Sequence, residues 1–369
     1  MRPMNVCMIS AYPPQRGGVA VHAESLALQL SKRHRLFVIT YGRLGRKPRQ
    51  NIEFLEVPVP GIGFLRGLAF AAGALFRLWR LTKRQRIQVV HSQYMHPAGL
   101  VPLVFRRLSG RRFRIVVTAH GSDVLVLGSG FLGRRLVRFI GNSCDRLICV
   151  SGYLASRAEA AGISKAKMSV IPNGISDEGL PGAGRAAARR RLRLPAGRRV
   201  VLFAGSLTEA KGADVFVVLA RHLSGKRHDL QFVLVGDGPE RRNLEDYCRR
   251  SGISGIVRFA GQKDHRTALE YIRAADVLVV PSRVEGFGLT ALEGMRMGVP
   301  IAASPNGALP DLLAGRSVTG NLPATVMKLL GDRKFREAVV EENLSRSRAF
   351  DWRLVAGETE KEYVAAAKH

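Results

Sequence analysis

Short, unbroken apolar runs rich in β-branched residues recur along this chain, each separated from the next by a longer stretch of helical composition. The first series is NVCMIS (5–10), LFVIT (36–40), IEFLEVPV (52–59), IQVVHSQ (87–93), RIVVTAH (114–120), RLICVS (146–151) and MSVIP (168–172). A second begins near residue 198, with RVVLFAGS (199–206), LQFVLVGDG (230–238), IVRFAG (256–261), DVLVVPS (276–282) and VPIAAS (299–304). A strand that is apolar along its whole length has both faces covered, so these runs predict parallel sheets between layers of helices. The restart makes two units. The reading is α/β, with two Rossmann-like, doubly wound domains, 1–178 and 198–350, facing across a cleft. The Gly-, Pro- and Arg-rich residues 179–197 read as a linker with room for a short basic helix, and a closing helix at 351–369 is expected to pack back on the first domain.

A chain of 369 residues suits two domains, and at 46% hydrophobic it can bury real cores. The four cysteines, Cys7, Cys144, Cys149 and Cys248, form no Cys-x-x-Cys pair, which points to reduced thiols in a cytoplasmic protein and away from a disulfide or zinc framework. No signal peptide is visible: the apolar start flows straight into a glycine loop. No membrane span is visible either, because GLAFAAGALFRLWRL (67–81) is interrupted by Arg77 and Arg80 where a spanning helix needs about 20 nearly uncharged residues.

In open α/β sheets, ligands bind beyond the carboxyl ends of the strands. Six runs end there in unusual residues: GGV (17–19), HGSD (120–123), PNG (172–174), GSLTEAKG (205–212), GDGPE (236–240) and EGFG (285–288). Six coincidences on the expected cleft side point to a ligand. EGFGLTALE (285–293) says most about its chemistry. Gly286 and Gly288 let backbone approach a ligand without a Cβ clash. A helix expected from about Leu289 offers unpaired amides suited to a phosphate. Glu293, one turn inside it, can accept two hydrogen bonds from a ribose diol, as acidic residues do in other dinucleotide sites.

Glu285, Glu293 and the following GMRMGVPIAAS resemble the Glu-x₇-Glu signature of glycosyltransferase family 4, retaining nucleotide-sugar enzymes of GT-B fold. The resemblance runs from GGV near the start to FDWRLVA near the end. It implies that Glu293 holds the ribose and Glu285 the donor sugar, with the amides of Phe287, Gly288 and Leu289 facing sugar and diphosphate. Lys211 matches the lysine that neutralises the diphosphate as it leaves. Gly17 and Gly18 match the loop beside phosphates and acceptor, and His120 the histidine near the donor sugar, with Asp123 close by. Asn173 is expected to line the site and also to form a turn, and Gly236 is counted with the donor-binding residues as part of the loop near the base, where it and Gly238 read as backbone devices. Asp123 has a second reading, as a cap for the next segment.

The departures are specific. Ser206, expected among the donor-binding residues, and Ala210 stand where the family has an arginine partnering the lysine, so one phosphate-binding cation is missing unless Arg283 or another basic residue substitutes. Ser176 replaces a common aspartate, and Asn306-Gly307 and Pro310-Asp311 replace the usual Gly-Gly and Pro-Glu. There is no Asp-x-Asp, so no diphosphate-chelating metal and no bound cofactor are expected; cations and helix amides take that role. The implied activity is retaining, metal-independent transfer of a hexose-type sugar from a UDP- or GDP-sugar. The rival is a non-catalytic GT-B scaffold binding a membrane surface or polyanion. An epimerase is disfavoured by the glutamate pair with its Lys-Gly loop, and a phosphorylase would be a much longer chain.

The acceptor side is read from charge. Of the net charge of +29, +19 falls in residues 1–180, with 27 Lys and Arg against 8 Asp and Glu. That half faces an anionic partner, or else reflects an Arg-rich background composition. FLRGLAFAAGALFRLWRLTKRQR (64–86) carries Phe64, Leu65, Leu68, Phe70, Leu75, Phe76, Leu78, Trp79 and Leu81, six basic residues and no acid. It reads as a helix that packs on the sheet and can lie on an anionic bilayer. Arg106, Arg107, Arg111, Arg112 and Arg114 add a second basic cluster. No nucleic-acid motif is present. The expectation is a cytoplasmic enzyme, peripheral on the inner face of the membrane, acting on a lipid-linked or envelope-glycan acceptor.

Overall fold

A computed structural model describes residues 2–13, 15, 17–42, 51–59 and 63–366. The side chains of Phe64 and Leu65, and residues 367–369 of the expected closing helix, lie outside the described residues. The chain divides into two compact units, Met1–Gly174 with Trp352–His369, and Ile175–Asp351.

The first unit runs β1 (Asn5–Ile9), α1 (Gly18–Leu30), β2 (Arg35–Tyr41), β3 (Ile52–Val57), α2 (Gly63–Arg84), β4 (Val89–Gln93), α3 (Leu100–Ser109), β5 (Arg114–Ala119), α4 (Ser122–Leu125), α5 (Phe131–Ser143), β6 (Arg146–Cys149), α6 (Gly152–Ala160) and β7 (Met168–Val170), and is completed by α15 (Trp352–Ala365). Its seven strands are ordered β3-β2-β1-β4-β5-β6-β7, and every pairing is parallel. Strand order reverses between β1 and β4, the switch point at which doubly wound sheets place ligands. Right-handed crossovers then put α2, α3 and α5 on one face of the sheet and α1 on the other. α15 joins α1: Trp352, Val355, Ala356 and Tyr363 share a core with Ala23, Leu26 and Leu30. All four cysteines are free and buried.

The second unit holds α7 (Arg185–Arg191), β8 (Arg199–Ala204), α8 (Ala213–Ser224), β9 (Leu230–Val235), α9 (Arg241–Arg250), β10 (Val257–Gly261), α10 (His265–Ala274), β11 (Val277–Val280), α11 (Leu289–Arg296), β12 (Ile301–Ala303), α12 (Leu309–Leu312), α13 (Leu322–Gly331) and α14 (Arg333–Ser347). Its parallel sheet is ordered β10-β9-β8-β11-β12, with the switch point between β8 and β11. Residues 179–197, expected as a linker, belong to this unit. The reason is ionic. Asp276, buried before β11, draws in Arg189 at 2.5 Å and Arg185 at 3.3 Å from α7, and Arg199 at 3.5 Å, while also accepting the Val200 amide at 2.6 Å.

Candidate active site

In the second unit, the residues expected to bind a donor gather at the ends of β8 and β11. Lys211 closes a single 3₁₀ turn, Glu209–Lys211, and its Nζ lies 2.9 Å from both carboxylate oxygens of Glu285. Glu285 is only 8% exposed and also accepts the Ser282 hydroxyl at 3.0 Å. The loops that carry this pair are fastened by backbone. The amides of Arg283 and Val284 donate to the Ala210 carbonyl at 2.9 and 3.1 Å. Gly212 has φ +69°, and a Cβ there would meet the Pro281 carbonyl oxygen at 2.0 Å. From the far side, Asn306 Nδ2 donates to the Ser282 carbonyl at 3.0 Å and the Ala308 amide to the Glu285 carbonyl at 3.0 Å. Gly307, φ +63°, lies under Glu285, where a Cβ would come within 2.3 Å of its carbonyl oxygen. The Asn306-Gly307 pair thus has a definite task in this chain.

Helix α11 starts at Leu289, with Gly288 in the left-handed region at φ +99° as its N-cap. Phe287 turns its ring inward, edge-on to Phe350 at 6.0 Å between centroids, so only its backbone is available to a ligand. Glu293 is buried to 8% exposure and accepts from His265 Nε2 at 2.7 Å. His265 stands at the start of α10, whose N-cap Asp264 accepts the Thr267 amide at 3.0 Å. Gly236, φ +138°, and Gly238 are where the β8 and β9 loops touch, with Cβ positions 1.9 Å from the Gly205 carbonyl oxygen and 2.4 Å from that of Leu207.

The first unit has its own cluster, around His120. Its Nε2 donates to Gln93 Oε1 at 2.9 Å. The Gln93 amide approaches His91 Nε2 at 3.2 Å, and His91 is held by Thr118 at 2.7 Å and by Tyr363 of α15 at 2.8 Å. His22 of α1 meets His120 edge-on at 4.7 Å and donates from Nδ1 to Asn173 Oδ1 at 2.7 Å. Burial pushes His22 down to about 4 and His91 to about 3, and holds His120 well below the usual imidazole range with help from its two histidine neighbours. All three rings are neutral at pH 7, and His120, with its Nε2 proton given to Gln93, keeps Nδ1 as a hydrogen-bond acceptor. Gly174 is glycine because the Trp352 indole leaves no space: a Cβ would lie 2.5 Å from Cδ2.

The residues of both units match known family descriptions. Glycosyltransferase Family 4 matches residues 16–178, and Glycosyl transferases group 1 matches 184–339. A D-inositol 3-phosphate glycosyltransferase of Streptomyces avermitilis is 34% identical over 326 residues, 81% of this chain and 69% of that protein. The chain is a group 1 glycosyltransferase. A GDP-mannose-dependent alpha-(1-6)-phosphatidylinositol monomannoside mannosyltransferase of Mycolicibacterium smegmatis is 28% identical over 331 residues, covering 84% of this glycosyltransferase and 82% of the relative. The fold matches the sucrose-phosphate synthase of Thermosynechococcus elongatus with a TM-score of 0.85 at 21% identity, over 99% of both chains. The GT-B fold and the transferase class follow, and the non-catalytic scaffold gives way to an enzyme.

Some expected site residues are placed differently in this glycosyltransferase. Asp123, expected among the donor-binding residues, is 1% exposed and accepts backbone amides from Met95, His120, Gly121 and Val124. It holds the loop that carries His120, and burial pushes its carboxyl upward against those hydrogen bonds. Arg283 does not take the place of the missing arginine: its guanidinium forks onto Asp214 at 2.7 and 2.6 Å and donates to the Glu209 carbonyl at 2.8 Å. Ser206 is exposed at the end of β8, and Gly17, φ +120°, is the exposed N-cap of α1 with Gly18 beside it. His22, Gln93 and His265 were not singled out in the sequence. Gln93 is the last residue of β4, His265 follows β10, and His22 sits one turn inside α1 after the GGV loop, so the same strand-end rule applied to every run would have reached them. Among the described residues, no group of three or more His, Cys, Asp or Glu side chains is arranged to hold a metal ion.

Proposed function

We propose that this glycosyltransferase moves a hexose-type sugar from a UDP- or GDP-sugar to a lipid-linked or cell-envelope glycan acceptor, with retention and without a metal. The observation that carries the reading is the Lys211–Glu285 ion pair, in the same unit as the buried Glu293 on α11. A fixed ammonium next to a carboxylate suits a diphosphate joined to a sugar, and Glu293 suits the ribose diol. In the reaction, the bond between the anomeric carbon and the diphosphate oxygen breaks and the acceptor oxygen takes its place. The acceptor proton passes to the departing phosphate. Lys211 offsets the added charge on that phosphate, and neutral His120 accepts a hydrogen bond from the donor sugar. The arginine absent at Ser206 and Ala210 leaves Lys211 with a larger share of this role than in relatives that have it.

The acceptor class is supported by the +19 carried by residues 1–180 and by the phosphatidylinositol mannoside named for the Mycolicibacterium relative. On this reading the enzyme works in the cytoplasm, on the inner face of the membrane. Among the described residues no helix is long and apolar enough to cross a membrane, so the proposed association is peripheral. The test is product analysis. Incubation with UDP- and GDP-sugars and a lipid-linked glycan acceptor should give a product whose anomeric configuration, read by proton NMR, equals that of the donor. An inverted product, or donor consumption with only free sugar formed, would overturn the reading.

A further inference from the structure

Helices α2, α3 and α5 form one layer over the first unit's sheet, and the outer surface of that layer is unusual in two ways. Its helices contain ten Lys and Arg residues and no Asp or Glu. It also exposes large apolar side chains. Among the described residues, all four exposed Phe and Trp side chains lie on it: Phe76 and Trp79 on α2, Phe131 and Phe139 on α5. Leu108 at the end of α3 and Leu132 on α5 are each 79% exposed, and Phe131 is 73% exposed.

The faces are cleanly sorted. On α2, Phe70, Ala74, Leu78 and Leu81 are buried against the sheet, while Leu68, Phe76, Trp79 and Lys83 follow one another at helical spacing on the outside. On α5, Val137 and Ile140 are buried, and the opposite side presents Phe131, Leu132 and Phe139 among exposed Arg134, Arg135 and Arg138. Cations lie over the exposed rings: Lys83 is 3.8 Å from the Trp79 centroid, and Arg135 is 5.5 Å from that of Phe131.

We infer that this outer surface docks on an anionic bilayer, with Phe131 and Leu132 at the start of α5 entering the acyl boundary. The inference extends the proposed membrane-side function from α2 to α5 and rests on that reading only for its biological setting. Cationic side chains beside large apolar ones match a surface with phosphate at one depth and hydrocarbon just below it. A second copy of the chain is disfavoured, since that would press like charges together. A nucleic acid would use the aromatic rings for stacking but has no use for two almost fully exposed leucines.

The test uses the full chain in which Trp79→Phe removes the exposed native indole and Phe131→Trp adds a reporter; Trp352 stays as a buried reference. Vesicles containing phosphatidylglycerol are compared with vesicles of phosphatidylcholine alone. The expected result is co-flotation with the anionic vesicles only, with a blue-shifted emission quenched by brominated acyl chains. In the otherwise native chain, Phe131→Ser with Leu132→Ser should weaken partitioning at least about tenfold and leave nucleotide binding unchanged. Equal binding to both vesicle types, a bound protein whose introduced indole stays unquenched, or an unaffected double variant would each overturn the inference. So would binding to heparin in the absence of vesicle binding, which would name a soluble polyanion instead. Nucleotide titration does not involve α5, so failure here is distinct from failure of the donor site.

Discussion

Among the described residues, Lys211 has one acidic partner at hydrogen-bond distance, Glu285, and the arginine that stands nearest in sequence to Glu285 is already bound to Asp214. At the residue scale this makes Lys211 the cation on which the proposed leaving group depends. Lys211→Met should lower kcat by about 10²–10³ at saturating donor, measured by nucleoside diphosphate release, with the fold kept. A loss of less than tenfold would show that another cation reaches the diphosphate. Gln93 offers a second residue-scale prediction. It accepts the Nε2 proton of His120, which burial keeps neutral. A carboxylate in its place favours the imidazolium form, so Gln93→Glu should raise the pH below which activity falls. An unchanged acid limb in the pH–kcat profile would separate His120 from the reaction. The two glutamates and the lysine stand out in the sequence because their chemistry and spacing are rare. Asp123 carries two readings in the sequence, beside the donor or as a cap, because a carboxylate that binds ligand and one that binds four backbone amides look alike until the loop is folded.

At the element scale, the site stands on turns that only glycine permits. Gly212 and Gly307 combine positive φ with backbone carbonyls 2.0 and 2.3 Å from a Cβ position. Gly212→Ala should therefore destabilise the second unit by about 3 kcal/mol and weaken nucleotide binding, whereas Gly331→Ala, with open space around it, should do neither. Urea titration of both variants checks this, and equal midpoints would contradict it. The twelve strands among the described residues coincide with apolar runs visible in the sequence, and those buried on both faces, such as β1, β4 and β9, leave an unbroken hydrophobic signature. The segment 179–197 reads as a linker because it is rich in Gly, Pro and Arg; the buried carboxylate of Asp276 that draws its arginines into the second unit lies far along the chain. The outer face of α5 has no such signature: nothing in the sequence assigns Phe131 and Leu132 to core or surface until the side of the helix facing the sheet is known.

At the scale of the whole molecule, the chain carries a strong positive charge and a buried histidine cluster, and both tie stability to pH. His22 and His91 have folded values near 4 and 3, below the 6.5 of a free imidazole. The unfolded chain therefore binds more protons than the folded one between those values and 6.5, so stability is full above 6.5 and falls with acidification through that window. At pH 5 each histidine should cost about 2 kcal/mol. Urea midpoints at pH 7 and pH 5 should show the loss, and His91→Gln should reduce it; equal midpoints would contradict the buried neutral state.

The central claim is a nucleotide-sugar donor site on the second unit, and calorimetric titration tests it most directly. UDP, GDP and ADP are added in turn to the wild-type enzyme and to Glu293→Ala. The account predicts that UDP or GDP binds with a micromolar Kd and that the variant loses this binding. No binding of any nucleotide to the wild type, or binding that survives Glu293→Ala unchanged, would contradict it.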